Sequence, residues 1–450
     1  MNDTICALAT ATGGAIGIIR ISGPQSPEIL SHVFHGKGDV KSYPANTIHY
    51  GHIVTPSPLG DGGGEAIDEV MVSIFRAPHS YTGEDSAEIS CHGSRYILNK
   101  VLELLIENGC RQAGPGEFTQ RAYLNGKMDL SQAEAVADLI ASTNQATHKI
   151  AMSQLRGHFS SRLAQLREQL LKLTSLLELE LDFSDHEDLE FADRSELKEL
   201  TQTIYSHITQ LAHSFETGQA LKQGIPVAIV GKTNVGKSTL LNRLLKDDRA
   251  IVSAIHGTTR DTIEDTIDIH GITFRFIDTA GIRQTSDEVE QIGITRTYAA
   301  IEKARIVLWL IDSKPSQEET TDMQHRCEGK SLIIIQNKID KNTGDFAEIK
   351  ISAKMGEGID ALEDAIYKAA DIPEITENDI IVTNARHYEA LTRAQKSIQR
   401  VVEGLQMQLS GDLLSEDLRQ ALDTLSEITG GQITPQETLN NIFSHFCVGK

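Results

Sequence analysis

One short segment constrains the fold of this chain more than any other. The residues Gly231-Lys232-Thr233-Asn234-Val235-Gly236-Lys237-Ser238 follow the apolar run Ile225–Val230 and precede a helical pattern over 239–245. A strand, a glycine-rich turn and a helix in that order form a phosphate cradle whose backbone N–H groups face the phosphates. We expect Lys237 to reach the β/γ oxygens and Ser238 to hold Mg²⁺. A chance glycine-rich turn is the alternative, and the complete pattern in this context disfavours it.

Two further motifs follow strand-like runs and indicate guanine as the base. Asn337-Lys338-Ile339-Asp340 follows residues 332–335, and an Asn and an Asp at this spacing match the hydrogen-bonding edge of guanine. Adenine presents the opposite donor pattern, so this site is expected to reject it. Ser352-Ala353-Lys354 ends another such run and would brace the base.

Two more motifs fit the metal and the γ-phosphate. Asp278-Thr279-Ala280-Gly281 follows the strand-like residues 273–277, where an Asp beside the metal belongs. Gly257-Thr258-Thr259-Arg260-Asp261 lies between the cradle and that Asp and is placed as a switch loop. Motifs in this order, each at a strand end, leave little room for a fold other than a GTPase domain.

The chain lacks the glutamine that Ras-like GTPases use to orient the attacking water, since Ile282 occupies its position. The acidic residues 286–290 are the nearest replacement, although they can equally be an ordinary solvated charge run. No arginine finger is evident. The candidates for one are Arg260, Arg283 and Arg296, and a bound monovalent cation could supply the missing charge instead.

Length and composition indicate a multidomain globular protein. A chain of 450 residues with 40% hydrophobic and 23% charged residues is expected to hold two to four domains. The longest apolar stretches are too short to span a bilayer, and we see no signal peptide, so we predict no membrane association. The five cysteines show no CxxC spacing, which argues against a disulfide framework and favours the cytoplasm.

The net charge of −21 restricts how the chain can meet nucleic acid, because RNA-binding faces are usually basic. A local patch, or a partner, would have to hold the RNA. Arg386, Arg393, Lys396 and Arg400 recur at roughly helical spacing and could form such a patch. A solvated helix face is the simpler interpretation. The acidic residues 178–199 could likewise form a metal cluster or a solvated helix end.

Changes in composition and in hydrophobic periodicity along the sequence predict four segments. Residues 1–118 read as an α+β domain, with strands over 15–21, 47–54, 68–75 and 87–90 and a helix over 96–108. Residues 119–215 read as helical, with Ser131-x-x-Glu134 as a capping box and a leucine stripe over 160–181. Residues 216–372 form an α/β Ras-like G domain entered through a linker at 218–224, and residues 373–450 are helical again. The expected fold is a P-loop GTPase domain inserted in a helical domain and preceded by the α+β domain.

The whole chain resembles the MnmE (TrmE) family of tRNA modification GTPases. The resemblance rests on motifs outside the generic GTPase set: Asp3-Thr4-Ile5, Gly17-Ile18-Ile19-Arg20-Ile21-Ser22-Gly23-Pro24, Ser80-Tyr81-Thr82-Gly83-Glu84-Asp85, Cys91-His92-Gly93, Pro115-Gly116-Glu117-Phe118-Thr119, Leu124 to Ala135, and Phe446-Cys447-Val448-Gly449-Lys450. Two departures are Thr233 and Thr10-Ala11-Thr12, where the family commonly has proline.

The resemblance implies that the α+β domain binds a tetrahydrofolate derivative, 5-formyl- or 5,10-methylene-tetrahydrofolate, and forms a constitutive homodimer. The residues that match folate-contacting positions are Arg20, Glu88, Lys127 and Lys450. Basic groups suit the glutamate tail of folate and a carboxylate suits the pterin N–H groups. Taken singly, Arg20 and Glu88 would more often be structural ion-pair members. Cys447 is a thiol candidate near the same end of the chain.

At the GTP site the resemblance implies a K⁺ ion in the place of an arginine finger. The implied K⁺ ligands are Asn234, Ser253, Ile255 and Thr258, and the implied Mg²⁺ ligands are Ser238 and Thr259. Glu290 matches the water-positioning residue, and with Lys237 and Thr259 it completes the expected catalytic set. The residues expected to contact GTP are Asn234, Val235, Gly236, Lys237, Ser238, Thr239, Ser253, Ala254, Ile255, His256, Gly257, Thr258, Thr259, Asp278, Thr279, Ala280, Gly281, Asn337, Lys338, Asp340, Ser352, Ala353 and Lys354.

The activity implied by the resemblance is modification of the tRNA wobble uridine. An FAD-dependent partner protein would join the chain in a hetero-oligomer that installs a carboxymethylaminomethyl or aminomethyl group at C5. GTP hydrolysis would open and close the complex. Two alternatives stay open on the G-domain motifs alone. One is a ribosome-assembly or stress-related GTPase switch without modification activity, and the other is an oligomeric scaffold in which GTP is mainly structural.

Overall fold

The computed structural model describes residues 3–55, 64–182, 194–247, 265–277, 290–342, 344–373, 375–376, 378–431, 436–444 and 446–449. The chain forms two compact units. One unit comprises Met1–Ala137, Leu155–Arg167 and Leu422–Lys450, and the other comprises Asp138–Gln154 and Glu168–Ala421. The domain boundaries expected near residues 118, 215 and 372 stay predictions.

A seven-stranded sheet forms the centre of the first unit. Its strands are β1 (Ile5–Leu8), β2 (Ile16–Ser22), β3 (Phe34–Gly36), β4 (Thr47–Val54), β5 (Ala66–Phe75), β6 (Ser86–His92) and β7 (Arg111–Gln112). They lie in the order β3-β4-β5-β6-β2-β1-β7. The β1–β7 pair is parallel and the other pairs are antiparallel. The predicted strands are confirmed to within a few residues at their ends.

Alternation along β2 and β6 decides which side chains this sheet buries. Ile19, Ile21 and Ile89 are buried in a core shared with helices α1 (Ser26–Val33) and α2 (Arg95–Glu107). Arg20 pairs with Glu88 across the two strands and therefore lies on the opposite face, because successive side chains in a strand point to opposite faces. The open face of this sheet thus carries the charged pair.

Helix α4 (Leu130–Ala141) follows α3 (Glu117–Leu124) and begins two residues earlier than the capping prediction, which places its first residue at Gln132. The Oδ1 atom of Asp129 accepts from the N–H of Gln132 at 2.9 Å, and Gln132 Oε1 accepts from the N–H of Asp129 at 3.0 Å. The capping box is therefore Asp129-x-x-Gln132, and the prediction of Ser131 as the capping residue is wrong. Ser131 instead lies buried in the first turn and donates to Asp129.

A six-stranded sheet organises the second unit. Its strands are β8 (Ile225–Val230), β9 (Asp265–Ile269), β10 (Ile272–Phe276), β11 (Ile306–Ile311), β12 (Ser331–Gln336) and β13 (Ile349–Lys350), in the order β13-β12-β11-β8-β10-β9. β9 is antiparallel to β10 and the other pairs are parallel. The helices that accompany the sheet are α8 (Lys237–Asp247), α9 (Glu290–Lys303), α10 (Gln317–Arg326) and α11 (Ile359–Ala369). This arrangement confirms the α/β class predicted for the G domain.

Long helices before and after this sheet confirm that helical sequence brackets it. They are α5 (Gln145–Leu155), α6 (His158–Asp182), α7 (Arg194–Gln223), α12 (Ala385–Gln406), α13 (Gly411–Thr429) and α14 (Gln436–Ser444). The leucine stripe of α6 is buried at Leu163, Leu166, Leu170, Leu173 and Leu177, as its spacing predicts. The mixed fold class, with helical, α/β and α+β parts, is therefore confirmed.

The linker predicted at residues 218–224 is wrong, because α7 continues to Gln223. Gly218 serves packing instead: a Cβ there would lie 2.1 Å from the carbonyl oxygen of Val382. The segment that leaves the G domain is held by the same helix, since Val382 N–H donates to Ser214 Oγ at 3.0 Å and Gln219 Nε2 donates to the Thr383 carbonyl at 2.8 Å. Chain entry and chain exit therefore meet on α7.

Candidate functional site

The predicted phosphate cradle lies between β8 and α8, as the sequence pattern requires. Gly231 and Gly236 adopt φ of 148° and 105°, and Asn234 adopts φ of 60°. A Cβ at Gly231 would lie 2.4 Å from the Leu310 carbonyl oxygen, and a Cβ at Gly236 would lie 2.3 Å from Asn337 Nδ2. Both glycines are therefore required by conformation and by space.

Lys237 is folded back onto the cradle. Its Nζ donates to the carbonyl oxygens of Gly231 at 2.6 Å and Lys232 at 2.8 Å. Burial lowers the pKa of Lys237 below its ordinary value, because desolvation penalises the ammonium. Ser238 lies in the first turn of α8, where free N–H groups and the helix dipole favour an anion nearby. The loop is thus shaped to receive phosphates.

Asn337 joins three of the predicted motifs. The residue is 2% exposed, its Nδ2 donates to the Val235 carbonyl at 2.8 Å, and its Oδ1 accepts from the Ala353 N–H at 3.0 Å. One side chain thereby fixes the phosphate loop and the base-bracing loop relative to each other. The structure brings the phosphate loop to the Asn337 motif, which lies 102 residues later in the sequence.

The residues predicted to read the base are also held in place. Asp340 Oδ1 accepts from Ser352 Oγ at 2.8 Å, which leaves its other carboxylate oxygen available for a ligand. Lys338 adopts φ of 64°, and its Nζ pairs with Asp312 Oδ2 at 2.8 Å. Asp312 follows β11 and is a site residue that sequence reasoning missed; its position directly after a parallel strand could have indicated it.

Arg243 is a second residue that sequence reasoning missed. It lies on α8, and its guanidinium donates from Nη2 to the Lys354 carbonyl at 2.9 Å and from Nε to the Ala353 carbonyl at 3.5 Å. Nothing in the pattern of the cradle or of the base-bracing loop marks this contact in advance. It connects the helix that begins at the phosphate site to the loop predicted to brace the base.

Several predicted site residues lie outside the described part of the structure. They are Ser253, Ala254, Ile255, His256, Gly257, Thr258, Thr259, Asp278, Thr279, Ala280, Gly281 and Lys450, and the candidates Arg260 and Arg283. Glu290 begins helix α9, while its side chain and that of Arg296 also lie outside the description. The predicted switch, K⁺ loop and water-positioning roles therefore stay predictions.

The predicted folate residues Arg20 and Glu88 form an ion pair on the open face of the first sheet. Arg20 donates from Nε and Nη2 to Glu88 Oε1 at 3.0 and 2.7 Å, and the two side chains are 18% and 28% exposed. The Arg20 guanidinium also lies 5.6 Å from the ring centres of both Tyr81 and Phe118. A charged pair backed by aromatic rings is suited to a flat ligand that carries carboxylates.

The carboxyl-terminal segment borders this pair. Arg20 Nη1 donates to the Gly449 carbonyl at 3.2 Å, Val448 bridges Pro115, and the Gly116 N–H donates to the Cys447 carbonyl at 3.3 Å. A Cβ at Gly449 would lie 2.4 Å from the Leu8 carbonyl oxygen. Cys447 is exposed, and its role as a thiol candidate stays a prediction.

Lys127 is not in the same contact network as Arg20. Its Nζ donates to the Pro78 carbonyl at 2.8 Å, and its side chain packs near Gly83. Residues 78–83 include Tyr81, which lies against Arg20, so the two cations flank one loop. The structure therefore brings Lys127 to the region of the pair without joining it to the pair.

A buried charge network supports this loop and was missed by sequence reasoning. Arg121 is 1% exposed and pairs with Asp3, Glu84 and Glu117. Burial opposes ionisation of Glu117, yet hydrogen bonds from Arg111 and the Gly114 N–H hold its pKa below the ordinary value. Glu117 is four residues before Arg121 on the same helix, but Asp3 and Glu84 are distant in sequence, so no local pattern marks the whole network. The network ties Asp3, just before β1, and the 80–85 loop to α3.

The remaining candidate sites are the basic patch for RNA and the acidic metal cluster, and the structure gives them less support. Arg400 pairs with Asp417 at 2.6 Å and donates to Gln420, so that position of the basic patch is neutralised. Among the described residues no group of three or more His, Cys, Asp or Glu is placed to hold a metal, although most of the acidic run lies outside them. No described helix is long and apolar enough to cross a membrane.

Comparison with known proteins gives two family matches that together extend over most of the chain. The family model "MnmE helical domain" matches residues 130–447, and "GTP-binding protein TrmE N-terminus" matches residues 4–127. A curated relative from Phocaeicola vulgatus, "tRNA modification GTPase MnmE", is 56% identical over 495 aligned positions and covers 100% of this chain and 99% of the relative. A relative of the same name from Bacteroides fragilis is 56% identical with the same coverage.

Among solved structures, similarity to the G domain of the T. maritima FeoB iron transporter has a TM-score of 0.25 and 23% identity. The match covers 33% of this chain and 99% of that domain. A similarity of this size supports no conclusion about fold or function, so the assignment depends on the family models and the curated relatives.

Proposed function

The chain belongs to the MnmE (TrmE) family of tRNA modification GTPases, and we propose that its GTP hydrolysis supports modification of the wobble uridine in tRNA. The observation that carries the GTP site is the buried Asn337 side chain, which bonds to Val235 of the phosphate loop and to Ala353 of the base-bracing loop. A site that fixes a phosphate cradle to a guanine-reading motif is built for a guanine nucleotide.

Each described residue of the site has a distinct proposed role. Lys237 binds β/γ-phosphate oxygens after leaving the Gly231 and Lys232 carbonyls, and Ser238 ligates Mg²⁺ together with Thr259. Asp340 accepts from the guanine N–H groups with the oxygen that Ser352 leaves available. Mg²⁺ bound there would neutralise charge that develops on the phosphates.

We further propose K⁺ as the cation that replaces an arginine finger. Among its proposed ligands the structure describes Asn234, whose backbone is already left-handed at the turn of the cradle; an amide oxygen suits a hard cation. The others are Ser253, Ile255 and Thr258, and Glu290 is the proposed water-positioning residue. The test is steady-state GTP hydrolysis in KCl against NaCl at equal ionic strength, for the parent and for Glu290→Ala.

Strong K⁺ stimulation that collapses in the variant supports both roles, because an arginine finger is worth roughly 10³–10⁵ in rate. Equal rates in the two salts would contradict the K⁺ proposal. In that case Arg260, or an external activating protein, becomes the next source of positive charge.

The open sheet face is the proposed binding site for a tetrahydrofolate derivative. The observation behind it is the Arg20–Glu88 pair, backed by Tyr81 and Phe118 and bordered by Gly449. We place Lys127 and Lys450 at the same ligand. Bound folate would supply the one-carbon unit, while these residues hold its carboxylates and pterin edge.

Folate binding distinguishes this proposal from the alternative, a ribosome-assembly or stress-related GTPase switch. Calorimetric titration with 5-formyl-tetrahydrofolate should show binding to the parent and weaker binding to Arg20→Ala and Glu88→Gln. Arg400→Ala is the matched control, because Arg400 is also ion-paired but lies on helix α12 and not on this sheet. No binding to the parent would favour the switch.

A homodimer is proposed through the same sheet. Ile48, Tyr50 and Met71 are 66%, 61% and 52% exposed, and Tyr50 is directly opposite Met71 on neighbouring strands. Exposed apolar side chains at adjacent sheet positions are typical of a surface that a second copy covers. Sedimentation should give a dimer for the parent and a monomer for Met71→Glu, whereas an unchanged dimer would place the interface elsewhere.

We propose an FAD-dependent flavoprotein as the second partner, acting with this chain on C5 of the wobble uridine. The support is membership of the family. We place the protein in the cytoplasm, which is consistent with its five free cysteines.

A further inference from the structure

Arg243 makes the contacts that carry a further inference about the GTP site. It lies on α8, the helix that begins at the phosphate cradle, and it is partly buried. Its guanidinium donates to the carbonyl oxygens of Lys354 at 2.9 Å and Ala353 at 3.5 Å. A Cβ at Gly356 would lie 3.4 Å from the Arg243 Cζ, so the turn after these residues closes over the guanidinium.

We propose that Arg243 is a positioning residue for guanine recognition, acting through the loop Ser352-Ala353-Lys354, here called the guanine loop. This inference rests on the proposed GTP site and deepens it. The ligand is the guanine nucleotide. Arg243 would hold the loop that contacts the base and would not contact the base itself.

Two groups of hydrogen bonds connect the guanine loop to the rest of the proposed site. Two of its donors bond to the base-reading motif, because the Ala353 N–H donates to Asn337 and the Ser352 hydroxyl donates to Asp340. Two of its acceptors, the carbonyl oxygens of Ala353 and Lys354, are fixed by Arg243. Removing Arg243 therefore frees one set of bonds and leaves the other intact.

An arginine suits this task better than a lysine. The planar guanidinium presents several N–H donors in a fixed fork, so one side chain can hold two successive carbonyls. A lysine ammonium is a compact donor on a flexible stem. It can replace one of the two bonds, but it loses more side-chain conformational entropy for each hydrogen bond formed. The replacement Arg243→Lys should therefore recover part of what Arg243→Ala loses.

The consequence for binding is specific to the base. Arg243 makes no described contact with the cradle carbonyls that hold Lys237, so the phosphate half of the site should be unaffected. We expect Arg243→Ala to raise the Kd for GDP about tenfold, chiefly through faster dissociation. The KM for GTP should rise in parallel while kcat stays within about twofold, because uniform binding is lost.

The experiment measures GDP binding and release with a fluorescent GDP analogue, on the full chain, for the parent, Arg243→Ala and Arg243→Lys. Pyrophosphate, as a competitor, reports the phosphate half of the site alone. Arg326→Ala is the charge-matched control, because Arg326 pairs with Asp322 and lies over Tyr298 on the surface of the same unit. Thermal melting checks that every variant is folded.

The expected result is weaker GDP binding in Arg243→Ala, partial recovery in Arg243→Lys, and unchanged pyrophosphate affinity in all variants. An unchanged Kd for GDP, or an equal loss of pyrophosphate affinity, would overturn the inference, since the second outcome reveals a general disturbance of α8. If the parent itself binds no GDP, the proposed GTP site fails. If the parent binds and Arg243→Ala binds equally well, the inference about Arg243 alone fails.

Discussion

The side-chain amide of Asn337 donates to the Val235 carbonyl at 2.8 Å, and this bond joins the proposed guanine-reading motif directly to the proposed phosphate loop. The same side chain accepts from the Ala353 N–H at 3.0 Å. Because the residue is buried, both bonds are shielded from water and difficult to replace. The two halves of the nucleotide site therefore depend on one residue.

Asn337→Ala should weaken nucleotide binding more than it weakens the fold. The substitution leaves the Val235 carbonyl and the Ala353 N–H without this partner, at a cost of about 1–3 kcal/mol in unfolding free energy. Asn342→Ala is the control, because Asn342 bonds to the Asp312 carbonyl and the Gly344 N–H instead. Denaturant titration should show similar losses of unfolding free energy in Asn337→Ala and Asn342→Ala. GDP titration should show a larger loss of affinity in Asn337→Ala. Equal affinity losses would contradict the linking role.

Gly236→Ala should abolish nucleotide binding because the added Cβ would collide with the Asn337 side chain, in addition to the strain of a positive φ. Gly236 and Gly329 both have positive φ, of 105° and 74°, but a Cβ at Gly329 has no neighbour within 4 Å. Gly329→Ala should therefore cost about 1–2 kcal/mol of backbone strain and leave GTP hydrolysis intact. Steady-state hydrolysis of the two variants makes the comparison. Retained turnover in Gly236→Ala would show that the Asn337 contact can move aside.

Arg121→Ala should be one of the most destabilising single changes in the first unit. It removes the buried cation that pairs with Glu84, while Asp3 and Glu117 keep only Arg111 as a cationic partner, at a cost of about 3–5 kcal/mol. Arg400→Ala removes a more exposed pair and should cost about 0–1 kcal/mol. Chemical denaturation of both variants tests the difference, and similar midpoints would mean that the network is solvated.

The free energy of unfolding should fall at acid pH as Glu117 becomes protonated. Its folded pKa lies below the unfolded value of about 4.3, so its contribution is complete above that value and is lost as the pH falls through the folded pKa. In this window the unfolded chain binds more protons than the native one, and stability therefore rises with pH. Glu117→Gln should flatten the acid limb of a stability–pH curve. A variant curve parallel to that of the parent would exclude this contribution.

The nucleotide motifs could be predicted because each is a complete local pattern at a strand end. The cap of α4 could not be assigned uniquely, because Asp129-x-x-Gln132 and Ser131-x-x-Glu134 satisfy the same rule and overlap. Gly218 resembled a linker glycine, yet it sits in a helix because Val382 approaches it closely. Because Gly218 and Val382 are far apart in the sequence, no local pattern indicates that they lie close together.

Long-range contacts explain the other omissions. Arg121 meets Asp3 across 118 positions, and Arg243 meets Lys354 across 111, so neither pair leaves a local signature. The aromatic backing of Arg20 likewise depends on Tyr81 and Phe118 being brought together by the fold. Periodicity predicted the elements that carry these residues, while tertiary packing determined their partners.

The central claim, that this chain couples GTP hydrolysis to tRNA modification, is tested most directly by nucleoside mass spectrometry of tRNA. The reaction would contain the protein, the proposed flavoprotein partner, a methylene-tetrahydrofolate, a nitrogen donor and tRNA, with GTP or with a non-hydrolysable analogue. We expect a carboxymethylaminomethyl or aminomethyl group at C5 of the wobble uridine with GTP, and little product with the analogue or with Gly236→Ala. An unmodified wobble uridine despite active GTP turnover would contradict it and favour a GTPase switch.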